Sequence, residues 1–267
     1  MSAARGRPFA SPFAPAALVA RFSLKELVWY PRTLAMVVVA FVPLGLALLY
    51  RLLAALEVTG QTSAFAAFSS IIAGALFPFV APMVALFYAT GVVSDDVEAG
   101  TMPYFLTRPL TRDAFLAGKM IASFAMALLL LLPAVTLSYY AILAPSGLSE
   151  VGRRFPVLVQ DLAVAALGLA AYNGIFALLG TALRRPLLAG LFFIFGWQSG
   201  ATFVPGAARY LTVAHYLQSL TPHPAEGGLA ALFSERSPAG WSIGALLLIA
   251  AGTHVLALRI FARKEVR

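Results

Sequence analysis

The stretch FLAGKMIASFAMALLLLLPAVTLSYYAIL, Phe115–Leu143, carries one charge, Lys119, near its start and is otherwise apolar or weakly polar. A helix that is hydrophobic all round belongs inside a large core or a bilayer. About 20 residues at 1.5 Å rise cross a hydrocarbon layer of about 30 Å, and this block exceeds that length. Five further apolar blocks surround it: Leu34–Leu56, Phe68–Val93, Val157–Leu183, Leu187–Val204 and Trp241–Ile260. Together they predict an all-α polytopic membrane protein with six transmembrane helices. Leu187–Val204 is the shortest and runs into Pro205-Gly206, so it reads as a tilted or broken span. Pro78, Pro82 and Pro133 fall inside the second and third blocks, where neighbouring helices can re-satisfy the freed backbone.

Bulk composition leads to the same class. Of 267 residues, 61% are hydrophobic and 11% charged, and the mean hydropathy is +0.87. A soluble domain carries about 25% charged residues. The absence of cysteine leaves no disulfide framework and no thiolate metal site. A net charge of +8 would suggest nucleic acid in a soluble chain. In a membrane protein it is first a topology signal, and no nucleic-acid partner is expected.

Six crossings with both termini cytoplasmic put Arg5, Arg7, Arg21, Lys25, Arg32, Arg108, Arg112, Lys119, Arg184, Arg185, Arg259, Arg263, Lys264 and Arg267 inside. Only Arg51, Arg153, Arg154, Arg209 and Arg236 fall outside, the bias that the positive-inside rule requires. Met1–Pro15 is basic and rich in Ala and Pro, without the apolar core of a signal peptide. Phe13–Arg32 reads as an amphipathic helix, with Leu18, Phe22, Leu24, Leu27 and Val28 set against Arg21, Lys25 and Glu26. Such a helix beside a span lies along the headgroup interface, where Trp29 and Tyr30 are at home before the Pro31 turn. The expected division is therefore residues 1–33 as a cytoplasmic N-terminus with an interfacial helix, and 34–267 as the transmembrane domain. The outer connection, residues 205–240, holds Tyr210, Leu211, Val213, Tyr216, Leu217 and Leu220. It is too apolar for a solvated loop and predicts short re-entrant helices sheltered by protein.

The most informative polar stretch is the cytoplasmic loop, residues 94–114, continuing to Lys119. It has carboxylates at Asp95, Asp96 and Glu98, then Gly100-Thr101 and an apolar patch of Met102, Tyr104, Phe105 and Leu106. Arg108-Pro109, Arg112 and Gly118-Lys119 follow. Asp95 and Glu98 have the spacing of a capping-box helix start. Pro109 and Thr111 can open the next helix, with Asp113 in its first turn. A loop that only reversed the chain would be shorter and less apolar; an exposed apolar helix rimmed by charge is a docking surface.

This stretch resembles the first cytoplasmic loop of ABC-2-type permeases. In that loop an acidic residue four before Gly-Thr leads into a Leu-rich helix, a Pro turn, a downstream Arg and a Gly-Lys. The matching positions are Asp96, Glu98, Gly100, Thr101, Leu106, Arg108, Pro109, Arg112, Gly118 and Lys119. Asp96 replaces the commoner Glu, and Pro103 stands where the family continues a regular helix. The resemblance implies a permease subunit of an ABC exporter in a prokaryotic plasma membrane, itself not an enzyme. Its loop would form a coupling helix seated in a cytoplasmic ATPase. It further implies two ATPase copies and a second permease subunit, with a homodimer as the simplest form, surrounded by membrane lipids. No G-x-x-x-x-G-K-[ST] motif occurs, so ATP and Mg are expected on the ATPase and no cofactor on this chain.

Other chemistries find less support. His215, His223, His254 and Glu226 lack metal-ligand spacing and read as interfacial or pathway-facing groups. Asn173, Gln198 and Ser199 are the notable polar residues within spans, a pattern of helix–helix glue more than of intramembrane proteolysis. Scarcity of charge inside the spans, with no inverted repeat, argues against an ion-coupled secondary transporter; the main alternative is a secondary transporter or other multi-span membrane protein without an ATPase partner. The same scarcity points weakly to a hydrophobic or amphipathic substrate.

Overall fold

The computed structural model describes residues 13–29, 31–58, 62–98, 111–198, 200, 210–223 and 236–263; side chains at 13, 14, 31, 32 and 93–98 lie outside that description. All regular elements among these residues are helical. Prolines punctuate the first of them. Helix α1, Phe13–Trp29, gives way to α2, Pro31–Ala40, and α3 follows over Val42–Ala55. Pro43 stands in the first turn of α3, where its missing N–H and fixed φ break the run from α2. The two halves of the expected first span are accordingly bent by 41°.

Short polar caps start the next elements. Ser63 Oγ accepts from the Ala66 amide at 3.1 Å and opens α4, Ala64–Ile71. A π-helical stretch, Ile72–Val80, contains Pro78 and joins α4 to α5, Ala81–Glu98. A widened turn of this kind absorbs the amide that Pro78 cannot supply. Thr111 caps α6, Arg112–Leu143, by accepting from Ala114 N at 3.3 Å, with Asp113 in the first turn. A 3-10 turn, Ala144–Ser146, and Gly147 at φ +105° reverse the chain into α7, Leu148–Ala182. Then come α8, Pro186–Leu191, with its π-helical continuation Phe192–Gln198; the short α9, Val213–Leu220; and α10, Ala239–Arg263.

Four of these stretches are long and apolar enough to cross a membrane: Ala64–Val92, Arg112–Ser146, Leu148–Ala182 and Ala239–Arg263; the bent α2–α3 pair makes a fifth. The expected span Leu187–Val204 corresponds to the shorter apolar helix Pro186–Gln198. At 1.5 Å per residue its described part covers about 20 Å, less than the hydrocarbon thickness.

Helix α7 is the hub. It packs along α10 and α5 and against α6, while α6 also carries α1 on its outer face. The buried core runs through Phe68, Phe77, Leu86, Leu131, Tyr172 and Phe176. Small residues permit the closest approaches. A Cβ at position 118 would stand 2.6 Å from the Ala16 carbonyl oxygen and 2.7 Å from Val19 Cβ, so α1 crosses α6 directly on Gly118. Phe115, one turn earlier, stacks on Phe261 of α10 at 6.4 Å. The first turns of α6 thereby hold α1 and the last turns of α10 at the same end of the bundle.

The faces of α1 differ from the expected single apolar side. Ala16 and Ser23 are buried and Val19, Leu24 and Leu27 half-buried against the protein, whereas Leu18, Phe22, Val28 and Trp29 are exposed. The helix therefore has two apolar faces, one for α6 and one that meets no other part of the described chain. Thr33 Oγ1 donates to the Leu27 carbonyl, satisfying one of the last acceptors of α1.

Candidate functional site

The expected docking residues lie between α5 and α6. Asp95, Asp96 and Glu98 fall in the final turns of α5. Gly100, Thr101, Tyr104, Phe105, Leu106, Arg108 and Pro109 lie outside the described residues. Arg112 is the first residue of α6 and exposed. The capping-box reading of Asp95 and Glu98 is thus corrected: these acids sit near a helix C-terminus, not at a helix start. The apolar run through Val92 and Val93 carries the helix past them. Acids at that end oppose the helix dipole by about 0.3–1 kcal/mol each. No basic residue stands in the last turn of α5 to offset them.

The neighbours of this connection are well placed. Helix α5 continues to Glu98, six residues or about 9 Å of helix past Val92. Lys119 Nζ lies 5.3 Å from the Phe115 ring centroid, and Gly118 beside it seats α1. The Gly118-Lys119 pair therefore has a packing reason for its identity: one residue admits a helix and the next stacks its charge on an aromatic face. Beside the first turns of α6, which follows the connection, stand α1 and the end of α10.

The opposite end of the bundle holds a polar cluster that the sequence reading did not assemble. Asp161 in α7 is 0% exposed and His223, just past α9, is 2% exposed. His223 Nε2 lies 2.9 Å from both Asp161 carboxylate oxygens. A carboxylate only accepts, so Nε2 carries the proton and donates. In the neutral ring, Nδ1 then accepts from Ser69 Oγ of α4 at 2.9 Å. Phe65 and Phe68 flank the imidazole at 6.0 and 5.9 Å, and the Arg154 guanidinium covers the Phe65 ring at 3.9 Å. Glu150 pairs with Arg154 at 3.2 Å and with Arg153. The sequence reading noted only a scarcity of charge inside the spans and took His223 as an interfacial or pathway-facing group; it did not join the two residues. The one sequence signal was an acid inside an apolar block, which demands a partner at that depth.

The remaining polar groups are dispersed. Asn173 Nδ2 donates to Ser123 Oγ at 2.8 Å, tying α7 to α6. Gln198 Nε2 donates to Tyr172 Oη, tying α8 to α7. Both are the interhelical glue expected of them, and Ser199 lies outside the described residues. His215 Nε2 meets Ser237 Oγ at 2.9 Å, and His254 Nδ1 donates to the Ala250 carbonyl at 2.7 Å. Glu226 lies outside the described residues. Among the described residues no three His, Cys, Asp or Glu side chains come together as a metal site.

A family model described as ABC-2 family transporter protein matches residues 18–266. No curated protein matches the chain. The match spans nearly the whole sequence, and the chain belongs to that family: it is a multi-pass membrane permease of an ABC-type transporter.

Proposed function

We propose that this ABC-2 family chain is the transmembrane half of an exporter whose ATP hydrolysis takes place in a separate cytoplasmic ATPase, docked on residues 94–114. Asp95, Asp96 and Glu98 present negative charge to that subunit, and Tyr104, Phe105 and Leu106 supply its apolar contact. Gly100-Thr101, Arg108-Pro109 and Arg112 shape and flank the coupling helix. Mg-ATP binds on the ATPase and no cofactor on this chain. The supporting observation is what stands at the first turns of the helix that follows the loop: α6 bears α1 on Gly118 and the end of α10 on Phe115. A push on the loop would pass directly into α6 and α1.

In this reading residues 1–33 form the cytoplasmic and interfacial element and 34–267 the transmembrane domain, in a prokaryotic inner membrane with both termini cytoplasmic. The placement of α1 and the α10 end beside the first turns of α6 supports a shared side for the two termini. The fifth and shortest helix, α8, completes six crossings. Exposed apolar residues on α2–α3 (Leu34, Val38, Leu52) and α8 (Leu188, Phe192) suit a seam with a second permease, a homodimer served by two ATPases. The alternative, an ion-coupled carrier, gains the Asp161–His223 pair. The family match over residues 18–266 favours the ABC-type reading over it.

Affinity purification from native membranes tests the proposal. A P-loop ATPase should accompany the wild-type chain and be lost from the Glu98→Arg and Phe105→Asp variants. Recovery of the chain without any ATPase would refute the reading.

A further inference from the structure

The stretch from Leu220, the last residue of α9, through the non-helical Thr221–His223 is fastened by polar groups from three separate elements. Thr221 is extended, at φ −77° and ψ 142°, and Pro222 has no amide hydrogen to place. Irregular backbone beside a bilayer persists only where protein satisfies it. Here the satisfaction is specific. Gln160 of α7 donates to the Leu220 carbonyl at 2.8 Å. Arg236, just before α10, donates to the carbonyls of Thr221, at 3.4 Å, and His223. The His223 ring is held by Asp161 of α7 and Ser69 of α4.

These anchors tie the first turns of α4, the first half of α7 and the segment just before α10 together, on the side opposite the coupling connection. Sheltered polar contacts are strong while dry and are replaced readily once water enters, so such a fastening has two discrete states, closed and wetted. The apolar contacts of the neighbouring α9, whose Val213, Tyr216 and Leu217 are buried, do not share that property.

We propose that Leu220–His223 is a strap that closes this end of the bundle, held shut by Asp161, His223, Ser69 and Arg236, and opened as a unit when the transporter releases substrate there. The closure rests on the geometry alone, while the purpose of opening rests on the exporter reading above.

The chain contains no cysteine, so a single Thr221→Cys substitution, at a residue 4% exposed, reports on the strap. The reactivity of the purified chain toward a bulky water-soluble maleimide is measured alone and combined with Asp161→Ala or Arg236→Ala. Ala134→Cys, at a buried α6 position, is the control. Each anchor substitution should speed labelling at position 221 at least tenfold and leave position 134 protected. Unchanged labelling at 221, or equal acceleration at 134, overturns the strap; if Asp161→Ala does not fold, Arg236→Ala decides. In the complex with its ATPase, Mg-ATP should change labelling at 221 at least threefold, and no change overturns opening during transport. If no ATPase binds, the exporter reading fails, and labelling of the isolated chain still judges the closure.

Discussion

Gly118 carries more of the architecture than its size suggests, because the backbone of α1 rests where its side chain would be. A Gly118→Leu substitution forces α1 off α6, and overpacking of this kind costs about 1–3 kcal/mol. The expected result is a lowered unfolding midpoint in detergent together with new protease sensitivity near Ala16. Asn173 and Ser123 are coupled more weakly. Interhelical hydrogen bonds in membranes contribute about 0.6–2 kcal/mol, so a double-mutant cycle on Asn173→Ala and Ser123→Ala should return a coupling within that range. A value near zero would mean that each group is equally content without the other. At this scale the sequence was only partly legible. Asn173 and Gln198 were recognisable as glue from their depth alone. Asp161 and His223 were not, because 62 residues separate them and no local pattern joins a mid-helix acid to a histidine just past α9.

Helices follow from their caps and prolines. Ser63, Thr111 and Thr212 each open a helix by accepting an amide of its first turn, as their side chains favour. Thr111 with Asp113 was readable in advance; the break at Pro43 was not, since the apolar run continues through it unchanged. The three acids at the end of α5 were misplaced for a related reason. The spacing of Asp95 and Glu98 suits a helix start, but an apolar helix already under way overrides a weak local preference. Helix α1 was legible as an element but not in its faces, because periodicity does not say which apolar stripe meets protein. Trp29 is 88% exposed beside the exposed Phe22 and Leu18, and the proposed interfacial placement of α1 would set that stripe in lipid. In liposomes, a variant retaining Trp29 as its only tryptophan should be quenched most by lipids brominated near the headgroup. Maximal quenching by deep bromines, or none at all, would contradict an interfacial α1.

For the whole molecule, composition settled the class and the distribution of Lys and Arg suggested the orientation. Neither could reveal that the first turns of α6 gather α1 and the α10 end, nor that Asp161, His223, Ser69 and Arg236 come together at the other end. Both depend on contacts between segments far apart in the chain. In the proposed account the two ends form one device, with force entering through α5 and α6 and release governed where α4, α7 and the segment before α10 are fastened. Its central claim is that residues 94–114 receive an ATPase. The most direct measurement places a photo-cross-linking amino acid at Phe105 and identifies the adduct by mass spectrometry. The account predicts a peptide from a soluble ATPase bearing a P-loop, with no such adduct from the same probe at the exposed α10 residue Leu248. Adducts from position 105 to lipid or to this chain alone would contradict it.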